Sequence, residues 1–240
     1  MKKILIILSL LYIFISPSHA VNNEGPATQY SINMTHLEMC ETGSTESLCL
    51  NPVTIGIGDS GAIDIANTVA GATAASYGSL ASIKFGVSYS YMQVTMKRLI
   101  SIAGSVSDDT NTCYTSASDS SISTAVAGST SSSDLATVNL YIGLTNNGNG
   151  NNMNSISAGD GTGTAQAVGV IDDDDEFVQF RGPLVAPITL KQGLIPTMTL
   201  AFGFSEALGY AGSDGGCAAT EGETQGLYGS SPNVSITISY

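Results

Sequence analysis

The chain has 240 residues, of which 11% are charged, and twenty acidic residues outweigh seven basic ones to give a net charge of −13 at pH 7. Such a balance repels phosphate backbones and anionic lipid, which excludes nucleic-acid binding and a polybasic membrane patch and leaves cationic or neutral partners open. With two histidines and no tryptophan, there are few ways to build a poised acid and base, so an enzyme is not expected.

Lys2 and Lys3 precede an apolar run over residues 4–15, followed by the small-residue site Ser18-His19-Ala20. This pattern predicts a secretory signal peptide over residues 1–20 and places the mature chain in the periplasm, at the cell surface or outside the cell. Cleavage before Val21 would remove two of the seven basic residues and one of the two histidines, which leaves His36 and a net charge of −15. Residues 21–240 are expected to form one domain, large enough to bury roughly 70% of its unfolded surface. No later apolar run approaches the ~20 residues of a spanning helix, so no transmembrane helix is expected in the mature chain.

Alternation of period two recurs along the chain, whereas helical periodicity is hard to find, and the expected class is an all-β antiparallel sandwich with long polar loops. Tyr30, Ile32 and Met34 alternate with polar neighbours in a strand that continues towards Cys40, with His36 near its rim. Weaker strands are read through Val53, Ile55 and Ile57 and around Ile63 and Ile65, kept short by Gly56, Gly58 and Gly61. Between them Gly58-Asp59-Ser60-Gly61 resembles the nucleophile signature of trypsin-like proteases and of the lipases named for Gly-Asp-Ser. Both chemistries need a histidine that takes the serine proton; His36 stands only 24 residues before Ser60 and none follows it. A turn is the favoured reading. Residues 66–79, rich in Ala and Gly, hold the one plausible helical turn.

The longest strand signal runs over residues 85–102, with Tyr89, Tyr91, Gln93, Thr95 and Lys97 on one face and Ser90, Met92, Val94, Met96 and Arg98 on the other. Tyr89 and Tyr91 on a shared face are a candidate glycan platform, against the alternative of cross-strand packing. Between 105 and 134, 16 of 30 residues are Ser or Thr, and between 146 and 164, 11 of 19 are Asn or Gly. Both read as loop insertions that supply little core and carry variable contacts. Val138, Leu140, Ile142 and Leu144 form a strand between them.

Asp172, Asp173, Asp174, Asp175 and Glu176 are five adjacent carboxylates, which are either solvated or partly neutralised by a hard cation. They are the candidate Ca²⁺ ligands, although the run lacks the alternate acids, central glycine and distal glutamate of an EF-hand; Asp108 and Asp109 invite the same reading. No other cofactor is expected. Phe177, Gln179 and Arg181 then alternate with Val178 and Phe180 until Pro183 and Pro187 break the ladder. Lys191-Gln192-Gly193 reads as a hairpin turn into a strand through Met198, Leu200, Phe202 and Phe204. The last strand carries Val234, Ile236, Ile238 and Tyr240 and is expected to be paired.

Four cysteines in an exported chain predict two disulfides. Of the three connectivities, Cys40 with Cys49, which closes a short loop, and Cys113 with Cys217, in Gly- or Ser-rich surroundings, are preferred. The cysteine spacing does not suit zinc.

The terminal strand resembles the insertion signal of outer-membrane β-barrels, though only 7% of the residues are aromatic, few for the aromatic girdles of such a barrel. It also resembles the pairing strand of pilus subunits, with residues 27–34 as the donor segment for strand exchange. In order, segments 29–40, 89–102 and 187–204 are similar to secreted bacterial sandwiches of the immunoglobulin or transthyretin-like kind, including fimbrillin-type and pilin-like surface proteins. The resemblance covers about a fifth of the chain. It implies an immunoglobulin/transthyretin-like or jelly-roll-like sandwich that acts as a structural or adhesive surface protein of a Gram-negative bacterium. Its partners would be itself or other surface subunits. A periplasmic or extracellular module that binds calcium or glycan is the alternative.

Overall fold

The computed structural model describes residues 23–67, 79–107, 111–117, 125–142, 155–157, 176–193, 197–211, 217, 226–230 and 233–239. In chain order the strands are β1 (Asn23–Gly25), β2 (Ala27–Ile32), β3 (Met34–Glu41), β4 (Val53–Ile57) and β5 (Ile63–Asp64). Next come β6 (Ser88–Lys97), β7 (Leu99–Ser107), β8 (Thr112–Thr115), β9 (Gly128–Ser129) and β10 (Val138–Tyr141). The rest are β11 (Ser155–Ser157), β12 (Phe177–Thr189), β13 (Thr197–Gly203), β14 (Leu208–Ala211), β15 (Gly226–Gly229) and β16 (Asn233–Ser239). Among the described residues the only helical elements are single 3-10 turns at Leu80–Ser82 and Ser132–Asp134.

The fold is an all-β sandwich of antiparallel ladders. They form four sheets: β5-β2-β7-β8-β9 with β10 on β7, β11-β12-β6-β3-β4, β1-β14-β15, and the pair β13-β16. Two cores lie between them. Tyr30, Ile100, Ile102 and Leu140 meet Leu208, Tyr210 and Leu227 in the first; Leu37, Met39, Tyr89 and Met92 meet Leu184, Ile188 and Ile236 in the second. Strands β6 and β12 serve both, since Met96 and Val178 belong to the first core while Met92 and Leu184 belong to the second.

The strand expected over 85–102 is two strands in different sheets. The chain bends at Arg98, whose backbone N–H donates to the Glu176 carbonyl at 2.9 Å and whose carbonyl accepts from Ile142 N–H at 2.8 Å. Both residues belong to neighbouring segments, so the ladder changes partners there. Arg98 itself is buried, with its guanidinium 5.2 Å from the Tyr141 ring centroid, a cation–π arrangement that offsets part of its desolvation.

The Ser/Thr-rich stretch after residue 105 contributes more to the core than its composition suggests. It contains β8 and β9, and Cys113, Thr115 and Val126 are buried. The Thr115 hydroxyl donates to the Ala136 carbonyl at 2.7 Å and accepts from Gly104 N–H at 3.1 Å, so a polar side chain can be buried without an unpaired group. Of the Asn/Gly-rich stretch, only β11 is among the described residues; the signal-peptide segment lies outside them.

Disulfides join Cys40 to Cys49 and Cys113 to Cys217, the pairings preferred from the sequence. The second spans 104 residues and ties β8 to the segment before β15.

Two glycines let the sheets approach closely where the β1–β2 junction crosses β7. A Cβ on Gly25 would lie 2.2 Å from the Ser105 carbonyl oxygen, and one on Gly104 would lie 2.4 Å from that of Pro26. Backbone cannot yield as a side-chain tip can. Gly104→Ala is therefore expected to destabilise by about 1–3 kcal/mol through overpacking, read as a lower midpoint in urea. Among the disulfides, loop-closure entropy predicts that replacing Cys113 and Cys217 by Ala costs up to about 4.7 kcal/mol, against under about 3 kcal/mol for Cys40 and Cys49. Calorimetry should show the larger fall in Tm for the long loop.

Candidate functional site

The sequence motifs separate in space. In Gly58-Asp59-Ser60-Gly61 the Ser60 hydroxyl donates to the Gly61 carbonyl at 2.8 Å and accepts from Met34 N–H at 2.9 Å. Asp59 accepts from Gly61 N–H at 2.8 Å and pairs with Lys97 at 3.1 Å. The Gly61 bond, helped by the Asn33 amide and Lys97, holds the Asp59 carboxyl below its ordinary range. The motif is an Asx turn that fastens the β4–β5 connection to β3, and its serine proton is already engaged by a carbonyl.

Tyr89 is fully buried in the second core, where its hydroxyl accepts from Lys84 N–H at 3.3 Å, while Tyr91 is half-buried. Register shifts opposite this end of β6, in both β3 and β12, interrupt the alternation from which a shared face was expected. An exposed tyrosine pair for a sugar is not formed. Of the acidic run, Asp172, Asp173, Asp174 and Asp175 lie outside the described residues; Glu176 is exposed and its carbonyl meets Arg98 N–H. No group of three or more His, Cys, Asp or Glu side chains arranged for a metal occurs among the described residues.

Residues 27–34, expected as a donor segment, are divided between two of the chain's own sheets, with 27–32 in β2 and Met34 at the start of β3. Strand β2 lies between β5 and β7, with Tyr30 and Ile32 in the first core. The Tyr30 hydroxyl donates to the Ser230 carbonyl at 3.2 Å, and burial pushes the phenol far above its ordinary range.

The densest polar constellation is one that the sequence reading passes over. Glu38 on β3, Gln93 on β6 and Arg181 on β12 are direct cross-strand neighbours, and Thr54 on β4 stands opposite Glu38. The Gln93 amide donates to Glu38 Oε2 at 2.7 Å, and its oxygen accepts from Arg181 Nε at 2.8 Å and from Arg181 Nη2. Arg181 Nη1 reaches the Glu46 carbonyl at 2.8 Å. Two strand positions away, Gln179 donates to Thr95 Oγ1 at 3.2 Å. Gln93, Thr95, Gln179 and Arg181 are all 0% exposed and Glu38 is 4% exposed.

Covering this row is the β3–β4 connection, which the Cys40–Cys49 bridge holds closed. Ser44 Oγ accepts from Leu50 N–H at 2.9 Å and donates to the Glu41 carbonyl at 2.6 Å, which shapes the loop so that Glu46 faces Arg181. Desolvation raises the Glu38 carboxyl above its ordinary range, against hydrogen bonds from Gln93 and Thr54 and the charge of Arg181. The row is a buried carboxyl and guanidinium joined through an amide, an arrangement that fixes strands relative to one another.

Two concavities are lined by described residues. One, of about 760 Å³, lies beside Cys217 and is lined by Ser116, Ser129, Thr130 and Asp134, whose carboxylate accepts from Ser129 Oγ at 2.6 Å. The other, of about 350 Å³, runs between β12 and β16 and is lined by residues 184–189, Lys191 and residues 236–238. At this point β12 bulges away from β6 between Pro183 and Ile188, because a proline has no N–H to give to a ladder. The turn at Gln192 and Gly193 forms, with φ +84° at Gly193, but it is not a hairpin: β13 pairs with β16. Met198 and Leu200 lean on the second core and Phe202 on the first, which carries β13 away from β12.

No family model, curated protein or solved structure matches the chain.

The raised pKa of Glu38 gives a stability slope of known sign. A carboxyl that binds its proton more tightly when folded contributes most below the ordinary glutamate pKa, and that contribution is lost as pH rises through the elevated folded value. Glu38→Gln keeps an oxygen for the Gln93 amide and removes the titration. The Tm of the variant minus that of the parent is therefore expected to grow from about pH 4, near the ordinary glutamate pKa, to pH 7; a difference that stays flat would refute the assignment.

Proposed function

We propose that this chain is an exported structural or adhesive surface protein that associates with copies of itself or with other surface subunits by strand addition. The observation that carries the reading is the regular edge of the β13–β16 pair, which among the described residues has no charge, proline or covering strand. Soluble proteins protect edge strands with charge, proline, a bulge or a covering element. Neither Thr197–Gly203 nor Asn233–Ser239 contains a charged residue or a proline, and the seven residues of each strand pair in unbroken register. Among the described residues β13 has β16 as its sole ladder partner. A regular, uncharged edge is a template for another strand.

Other features fit the same role. Two disulfides suit an oxidising, extracytoplasmic environment. No helix among the described residues is long and apolar enough to cross a membrane. The polar side chains that sequence motifs offered for chemistry, Asp59 and Ser60, are occupied in a turn. Work done by strand edges needs none of them.

The test is the assembly state of the exported chain, purified without detergent and followed by sedimentation velocity and negative-stain electron microscopy. Concentration-dependent polymers or filaments are expected. A strictly monomeric chain that adheres to no cell surface would overturn the reading.

A further inference from the structure

We propose that the groove between the bulged part of β12 and β16 is the acceptor for an extended segment of a second copy of this chain. The inference rests on the strand-addition reading above and assigns it a receiving site.

The walls of the groove come first. Residues 184–189 line one side and residues 236–238 the other, each without a gap. Side chains alternate across a strand, so a groove walled by one face would be lined by every second residue. Consecutive lining residues mean that main chain as well as side chains borders the opening. On one wall β12 has left the β6 ladder between Pro183 and Ile188. On the other, β16 pairs with β13 and, among the described residues, forms a ladder with no further strand. The opening therefore lies between the stretch of β12 that has no β6 partner before the ladder resumes at Ile188 and the edge of β16 that carries no described strand, and an added strand would pair there.

The lining chemistry comes second. Leu184, Ile188 and Ile236 are buried members of the second core and form an apolar floor. Val185 is 67% exposed at the rim, an apolar side chain that solvent does not favour. Such a floor takes the inward side chains of an alternating strand, the pattern this chain repeats throughout.

Charge selects the occupant. Among the described residues Lys191 is the one charged residue of the lining and no carboxylate borders the groove. With twenty acidic residues against seven basic ones, a second copy is a source of extended segments whose charge complements that lysine. Because the groove and the segment that enters it are different surfaces, the contact is heterologous and repeats head to tail, into a ring where its rotation closes and into an open filament where it does not.

Ala186→Glu and Thr237→Glu change exposed groove residues and set a carboxylate against an acidic occupant; Thr130→Glu adds the same charge at an exposed site away from the groove. Sedimentation velocity on all three and the parent, with circular dichroism to confirm folding, is expected to show self-association weakened at least about tenfold in the two groove variants and unchanged in Thr130→Glu. Assembly that persists unchanged in folded groove variants would overturn the groove while leaving strand addition standing. A parent that does not self-associate at any concentration would remove the second copy as occupant, and would remove strand addition as well only if the chain also adheres to no cell surface. Groove variants that assemble normally but lose adhesion to a surface would show that a different partner fills the site, and the second copy would be discarded as its occupant.

Discussion

The row Glu38–Gln93–Arg181 sets the register on which the rest of the molecule is hung. Buried charges are tolerated only when their bonds are complete, and one partner removed leaves the other stranded in a low-dielectric interior. Here the acid, the amide and the guanidinium lie directly across from one another on β3, β6 and β12. A slip of one residue along any of these strands would turn its polar member towards the opposite face, where Met39 and Met92 belong to the second core. Hydrophobic alternation alone would tolerate a slip of two residues; a carboxylate that must meet one particular amide does not. The apolar core supplies the driving force for collapse, and the polar row selects a single alignment within it.

From that alignment the edges follow. Because β6 and β12 are held together from Phe177 to Pro183, the prolines of β12 fall beyond the polar row, where the ladder opens. The far end of β12 is then left beside β16, close enough to share the core through Ile236 yet outside a common ladder. The paired start of β12 and the bulge that interrupts its ladder before Ile188 are two results of one placement. The covering loop belongs to the same system: its disulfide closes nine residues of chain separation, and its Glu46 carbonyl completes the hydrogen bonding of Arg181.

Legibility in the sequence tracked how local the cause was. Alternation in 53–57, 198–202 and 234–238 comes from a sheet with one apolar face, a local cause, and these segments are strands, whereas the strand expected from Tyr30 towards Cys40 is divided at Asn33 into β2 and β3 of different sheets. The division of 85–102 at Arg98 was not legible, since its cause is a change of hydrogen-bond partners to Glu176 and Ile142, distant in sequence. The polar row was hidden by its own pattern. Gln93 and Thr95, or Gln179 and Arg181, read as the wet face of a strand, because alternation reports that two faces differ without saying what covers the polar one. Strands β1, β14 and β15 are three or four residues long, and glycines such as Gly25, Gly209 and Gly229 punctuate them. Too short to show a period, they are strands because Leu208, Tyr210 and Leu227 close the first core.

The pairing of the first strand with one near the other end of the chain carries a kinetic cost. Asn23 lies opposite Tyr210, and β14 must in turn accept β15 at Gly226–Gly229. A chain delivered N-terminus first presents β1 long before its neighbour exists, and loop-closure entropy must be met before such a contact gives anything back. The first sheet to begin is thus among the last to be completed. Until then β2 and β7 hold apolar faces without their cover, so partially delivered chains face a delay during which their strand edges are open to one another.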